Sequence, residues 1–230
     1  MVKSDLINRH PFGIREDVPD IISGGQFGAV LSRAGVGKTA LLVQLALNAM
    51  LRDRNVLHIG MHDPVDKVTL WYEELFHLLT ERGDVEQGGL LLESLLPHRF
   101  IMTFRIAGFS VPKLRERLAD LAEQGIFRPD MILVDGLRFD ESIRGCLEEM
   151  KALAGEQSLQ VWFSVHTHRH EEPSAGAFPA PLADVQDLFD VALKIEPEGT
   201  DIRIKPLKGP EAAVSGLSQL TLDASSMLIK

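Results

Sequence analysis

The sequence predicts an α/β fold: a mainly parallel β-sheet flanked by helices, followed by an antiparallel β edge on its C-terminal side. Three observations carry that expectation. Short apolar runs recur from Phe27 to His166 with longer stretches of helical period between them, the pattern of strands buried on both faces and joined by helical crossovers. Glycine and proline cluster at the junctions of these runs, where they punctuate turns. Beyond Pro181 the helical spacing gives way to three short strand-like runs separated by turn-rich sequence, as in antiparallel hairpins.

Taken in order, Phe27–Ser32 is the first strand and Lys38–Arg52 the first helix. Asn55–Met61 is the second strand, and Val65–Arg82 the helix that follows, with Asp63 as its N-cap and Pro64 near the first turn, where a missing N–H costs nothing. On that helix Tyr72, Leu75, Phe76 and Leu79 recur at core spacing, and Trp71 and Leu78 extend the apolar surface towards an interface. A helix over Val85–Leu96 leads to strand Arg99–Ile106; helix Val111–Gln124, with Pro112 in its first turn, leads to strand Asp130–Asp135. Helix Phe139–Glu156 and strand Gln160–His166 complete the parallel part, and the polar, proline-rich stretch Glu171–Pro181 is an exposed loop. The expected antiparallel strands are Val191–Glu196, Asp201–Pro206 and Leu217–Leu222, joined by turns at Pro197–Thr200 and Lys208–Ser215.

With 230 residues, 45% of them hydrophobic and 25% charged, the chain has the composition of a globular protein large enough for one core. A single domain over residues 1–230 is expected, with a lead-in at 1–21. The net charge of −9 removes any general attraction to phosphate backbones or anionic membranes. Cys146 is the only cysteine, so neither a disulfide framework nor a cysteine zinc site is available. No apolar run reaches the roughly 18 residues of a membrane span, so a soluble, cytoplasmic protein is expected.

The strongest local signal is Ser32-Arg33-Ala34-Gly35-Val36-Gly37-Lys38-Thr39, set between a predicted strand and a predicted helix. Backbone N–H groups of such a loop can surround an anion, because Gly35 and Gly37 permit the dihedrals and the close approach while the helix N-terminus adds favourable charge. Lys38 is then placed to reach β- and γ-phosphates, and the Thr39 hydroxyl to ligate Mg²⁺. Ser32 stands where such loops usually begin with glycine. A second element is expected from the first: the apolar strand ending at Asp135 supplies the carboxylate on the Mg²⁺ side.

With these two elements the chain resembles the RecA-like ATPases, in particular the branch that holds the DnaB-type replicative helicase motor and the KaiC clock protein. The resemblance extends from about Ile22 to Leu222. It is carried by the loop Ser32–Thr39 followed by Ala40-Leu41-Leu42, by Asp135, by Val161–Arg169 (VWFSVHTHR) and by Ile202–Pro210 (IRIKPLKGP). It implies a RecA-like P-loop fold, ATP with Mg²⁺ at the C-terminal ends of the strands, and an oligomer in which a neighbour completes the site.

Several positions depart from the family pattern. Where the family ends its second strand with a glutamate that polarises the attacking water, this chain has Ile59-Gly60-Met61-His62-Asp63. His62 and Asp63 are therefore the candidate catalytic groups, since an imidazole can accept a proton at neutral pH. His166 falls at the family's polar sensor position, and its spacing with His168 and His170 also permits a metal reading. Of the Lys-x-Arg pair that the family presents across a subunit boundary, Lys205 is kept, Leu207 replaces the arginine and Lys208 follows. Lys205 and Lys208 are candidate nucleotide contacts in trans.

Loss of the base and of the arginine favours a weakly hydrolysing, nucleotide-dependent switch or assembly ATPase, acting with a protein partner or as a homo-oligomer. The alternatives are an active DNA-related ATPase of this family and a small-molecule kinase. Against nucleic acid, Glu171-Glu172 follows the histidines and Pro173–Pro181 contains no Lys or Arg. Against the kinase, Gln87–Arg105 holds only Arg99 and Arg105 and so lacks an arginine-rich lid.

Overall fold

The structure, a computed structural model, describes residues 21–82, 88–105, 108–167, 178–211 and 216–230. Its parallel part runs β1 (Phe27–Ser32), α1 (Lys38–Leu51), β2 (Val56–Gly60), α2 (Val65–Arg82), α3 (Gly88–Leu95), β3 (Arg99–Thr103) and α4 (Val111–Glu123). It continues through β4 (Met131–Asp135), α5 (Ile143–Gln157), β5 (Gln160–His166) and the short α6 (Ala180–Ala183). β6 (Val191–Glu198), β7 (Asp201–Lys208) and β8 (Thr221–Asp223) follow. The eight strands form one sheet in the order β3-β2-β4-β5-β1-β6-β7-β8. All neighbours from β3 to β6 are parallel, and β6–β7 and β7–β8 are antiparallel. The α/β class, the flanking helices and the antiparallel C-terminal strands are therefore as the sequence pattern predicts.

Strand alternation sorts the side chains into two cores. Val30, Val56, Leu133 and Trp162 face α1, α2 and α3, whereas Leu31, Leu57, Ile132 and Phe163 face α4, α5 and α6. All six residues of β1 are buried, as a central parallel strand requires. The helix α1 buries eleven of its fourteen residues because the sheet, α2 and the C-terminal strands surround it. Tyr72, Leu75, Phe76 and Leu79 pack in the same core, with Trp71 and Leu78 partly buried against it.

The helix placement follows from the strand order. The connections β1→β2 and β2→β3 run towards one edge and carry α1, α2 and α3 on one face; those after β3 and β4 run the other way and carry α4 and α5 on the opposite face. Right-handed crossovers impose that split. It opens a crevice at the C-terminal ends of β1 and β5, whose outgoing chains leave to opposite faces, and such crevices are where ligands bind open α/β sheets.

Several predicted boundaries need correction. Leu217 does not begin a strand: Gly216–Leu220 is a helical turn held by Gln219 N–H to Gly216 O and Leu220 N–H to Leu217 O at 3.4 and 3.1 Å, and β8 starts only at Thr221. Phe139 is not helical, because its ring packs edge-to-face on Phe163 with centroids 6.2 Å apart, and the Asp140 carboxylate accepts Ser142 N–H at 3.0 Å just before α5. Past Thr103 the chain leaves β3, and Phe104 and Phe109 pair edge-to-face at 5.3 Å; Ile106 lies outside the described residues. Of the expected helix Val85–Leu96, the described part starts at Gly88. The turn Pro197–Thr200 shrinks to Gly199-Thr200, with Gly199 at φ 63°. Pro179 is buried and Ala180–Ala183 is helical, which shortens the expected exposed loop; its residues 171–177 lie outside the described set, as do most of the lead-in and residues 212–215 of the turn after Lys208. Among the described residues no helix is long and apolar enough to cross a membrane.

Candidate functional site

The loop between β1 and α1 sits at the mouth of the crevice. Gly35 has φ 76° and Gly37 has φ 109°, left-handed conformations that explain glycine at both positions. Gly37 caps α1, its carbonyl accepting the Leu41 N–H at 3.0 Å. Lys38 folds back across the loop: its Nζ donates to Ser32 O at 3.1 Å, Ser32 Oγ at 3.2 Å and Arg33 O at 2.9 Å. Burial pushes the Lys38 ammonium below its ordinary pKa, and the nearby Asp135 carboxylate opposes that shift. Serine in place of the usual first glycine thus supplies a hydroxyl to the lysine and is itself 1% exposed.

Asp135 ends β4 two strands away from β1 in the sheet, yet the first turn of α1 reaches it. Thr39 Oγ1 donates to Asp135 Oδ2 at 2.7 Å. From β5, which lies between them, Ser164 Oγ donates to Asp135 Oδ1 at 2.5 Å and accepts the Gly136 N–H at 2.9 Å. Ser164 belongs to the site without being part of any sequence motif. Its signal was a hydroxyl at the centre of an otherwise apolar strand, Val161-Trp162-Phe163-Ser164-Val165, 3% exposed.

His62 belongs to this constellation. A Cβ placed on Gly136 would lie 2.7 Å from His62 Cδ2, so the imidazole rests on the glycine next to Asp135. Lys38, His62, Asp135, Ser164 and His166 line one cavity of about 830 Å³, together with residues between Gly136 and Arg144 and the start of α6. A second cavity of about 640 Å³ adjoins it across Ala34 and His166 and runs between Arg33, Val36, Thr167 and the β6 residues Lys194 to Pro197. Ser32 pairs with His166 in the β1–β5 ladder, which fixes the histidine at the junction of the two cavities.

Other predicted site residues lie apart. Asp63 does not cap α2: the carbonyl of Pro64 accepts the first helical bonds, and the Asp63 carboxylate takes the Lys67 ammonium at 2.8 Å. Lys205 is exposed on β7 opposite Lys194, whose ammonium pairs with Glu196 at 2.6 Å. Lys208 Nζ donates to Gln186 O at 2.9 Å. His168 and His170 lie outside the described residues, and among those described no group of three or more His, Cys, Asp and Glu side chains forms a metal cluster.

Chemically, the loop offers backbone N–H groups at a helix N-terminus, one ammonium, and a hydroxyl–carboxylate pair. That set fits a Mg²⁺–polyphosphate, since Mg²⁺ usually takes one or two protein oxygens and completes its shell with phosphate and water. Comparison with known proteins finds no matching family model and no similar curated protein.

Proposed function

We propose that this chain binds a nucleoside triphosphate, ATP, with Mg²⁺ at residues Ser32–Thr39, and works as a RecA-like, nucleotide-dependent switch or assembly ATPase with slow hydrolysis. The observation that carries the reading is the Thr39–Asp135 hydrogen bond at 2.7 Å beside Lys38. Two sequence motifs 96 positions apart meet at the spot where a phosphate-bound Mg²⁺ would need its protein oxygens. The roles divide accordingly: the loop N–H groups and Lys38 hold phosphate oxygens, and Thr39 and Asp135 hold the metal. His62, which lines the same cavity, would take the part of the water-activating group.

Slow turnover follows from chemistry at that last position. An imidazole has neither the negative charge nor the two acceptor oxygens of a glutamate, while the groups that bind phosphate are independent of it. The outcome is a loaded state that persists and is read by a second copy or by another protein. Titrating labelled ATP against the wild type and Lys38→Ala tests the site: micromolar-range binding lost in the variant is expected, and negligible binding by both would overturn the proposal. Phosphate release measured with and without single-stranded DNA separates the switch from a DNA-driven motor, for which strong stimulation would be required.

A further inference from the structure

A buried glutamine on α1 ties residues 223–229 to the back of the phosphate loop. Gln44, in the second turn of α1, is 0% exposed on a helix whose other buried positions are apolar. Its Nε2 donates to Ala40 O at 3.2 Å and to Met227 O at 2.8 Å, and its Oε1 accepts the Ile229 N–H at 3.0 Å. The same segment is held from α2, where Arg82 donates to Ile229 O at 2.8 Å, while Leu228 and Ile229 are buried in the core shared with α1.

Between these anchors Met227 adopts φ 58°, a left-handed conformation that a residue with a side chain holds only when its surroundings impose it. The result is a contact on the loop. A Cβ built on Gly37 would lie 3.2 Å from Met227 Sδ, with Ile202 Cδ1 and Leu222 Cδ2 at 4.0 Å. Gly37 is the residue whose unusual dihedrals aim the first N–H groups of α1, so its rear wall is built from β7, β8 and Met227.

We infer that residues 223–229 form a positioning element for the nucleotide site, in which Gln44 and Met227 hold Gly37 in its phosphate-binding conformation. This rests on the ATP reading above. Nucleotide binding and docking of the segment are then linked and reciprocal: what one does to the other is returned by the same factor. A contact that engages or displaces the segment therefore tunes nucleotide affinity from behind the loop, without touching the phosphate cavity.

Hydrogen exchange on the full chain tests the link, with Mg·ATP as the probe. Exchange of the Met227 and Ile229 amides is expected to slow several-fold when Mg·ATP is added to wild type, and to stay unchanged in Lys38→Ala. Met227→Ala keeps the backbone bonds to Gln44 but removes the thioether behind Gly37, and should weaken ATP binding about five- to tenfold. Gln44→Leu should do the same and also abolish the ATP-dependent protection of Ile229; should that variant not fold, Met227→Ala and the wild-type exchange decide alone. A purely structural segment would lower thermal stability in these variants yet leave ATP affinity and the ATP-dependent exchange as they were, which overturns the inference. Wild type that binds ATP with no change at Met227 and Ile229 overturns it as well, leaving the ATP site intact. Wild type that binds no ATP removes both.

Discussion

Thr39 Oγ1 and Asp135 Oδ2 lie 2.7 Å apart, joining the second residue of α1 to the last residue of β4 across the end of β5. The hydroxyl both donates to the carboxylate and keeps lone pairs for a cation. Thr39→Val retains the shape and removes that oxygen. ATP affinity in Mg²⁺ should fall about ten- to hundredfold, the scale of one hydrogen bond or ligand to a charged group, and should respond less to EDTA than in the wild type. An unchanged Mg²⁺ dependence in titration would place the cation elsewhere.

Ser164 grips the other oxygen of the same carboxylate and also satisfies the Gly136 N–H. Ser164→Ala leaves the half-buried Gly136 N–H without its partner and frees Asp135 to rotate. Urea unfolding should show a loss of about 1–3 kcal/mol, accompanied by weaker Mg·ATP binding. A loss of stability with unaltered binding would mean that Thr39 alone orients Asp135.

These two residues mark where the sequence was legible and where it was not. The loop and Asp135 are readable because their chemistry needs fixed residue types at fixed places on a strand–loop–helix. Ser164 carries no such pattern: a serine in a strand acquires its role only when β5 inserts between β1 and β4, which is a property of strand order. Asp63 illustrates the opposite failure. An Asp-Pro pair before a helix reads as a cap, yet Lys67 one turn on captures the carboxylate. The misplaced strand at Leu217 has the same origin, because an apolar residue in a turn and one in a strand look alike until the core into which it drops is known.

His62 packs on Gly136, which has φ 87° and no room for a side chain. If His62 holds the place of the water-activating group, His62→Glu should raise phosphate release by roughly the factor a well-placed general base contributes, on the order of a hundredfold or more, with little change in ATP affinity. Single-turnover phosphate release under saturating ATP measures it directly. Fast release by the wild type would show that the imidazole already serves, and would end the slow-switch reading.

His58 makes the stability of the fold depend on pH. It sits in the middle of β2, 0% exposed, with Nδ1 3.1 Å from the Tyr72 hydroxyl, and Nε2 has no hydrogen-bond partner among the described residues. Burial, with the Arg99 charge adding to it and Asp135 and Asp63 opposing, pushes its pKa down to about 4. Burial also pushes the Tyr72 phenol well above its ordinary value, so the phenol keeps its proton and can donate it to a neutral imidazole. In the unfolded chain the same histidine titrates near 6.5. Above that pH neither state is protonated and His58 contributes nothing to the pH dependence. As pH falls from 6.5 towards 4 the unfolded state takes up a proton that the native state refuses, and stability drops by up to about 3 kcal/mol. Below pH 4 both states carry the proton and the loss from this residue stops growing. Carboxylates also titrate at the lower end of the window, so the comparison to make is between wild type and His58→Phe, which keeps an aromatic ring beside Tyr72 and cannot be protonated. Urea midpoints measured from pH 4.5 to 7 should decline with acid more steeply in wild type than in the variant, whatever the variant's own baseline. Parallel curves over that range would mean that His58 accepts its proton in the folded protein as readily as in the unfolded one.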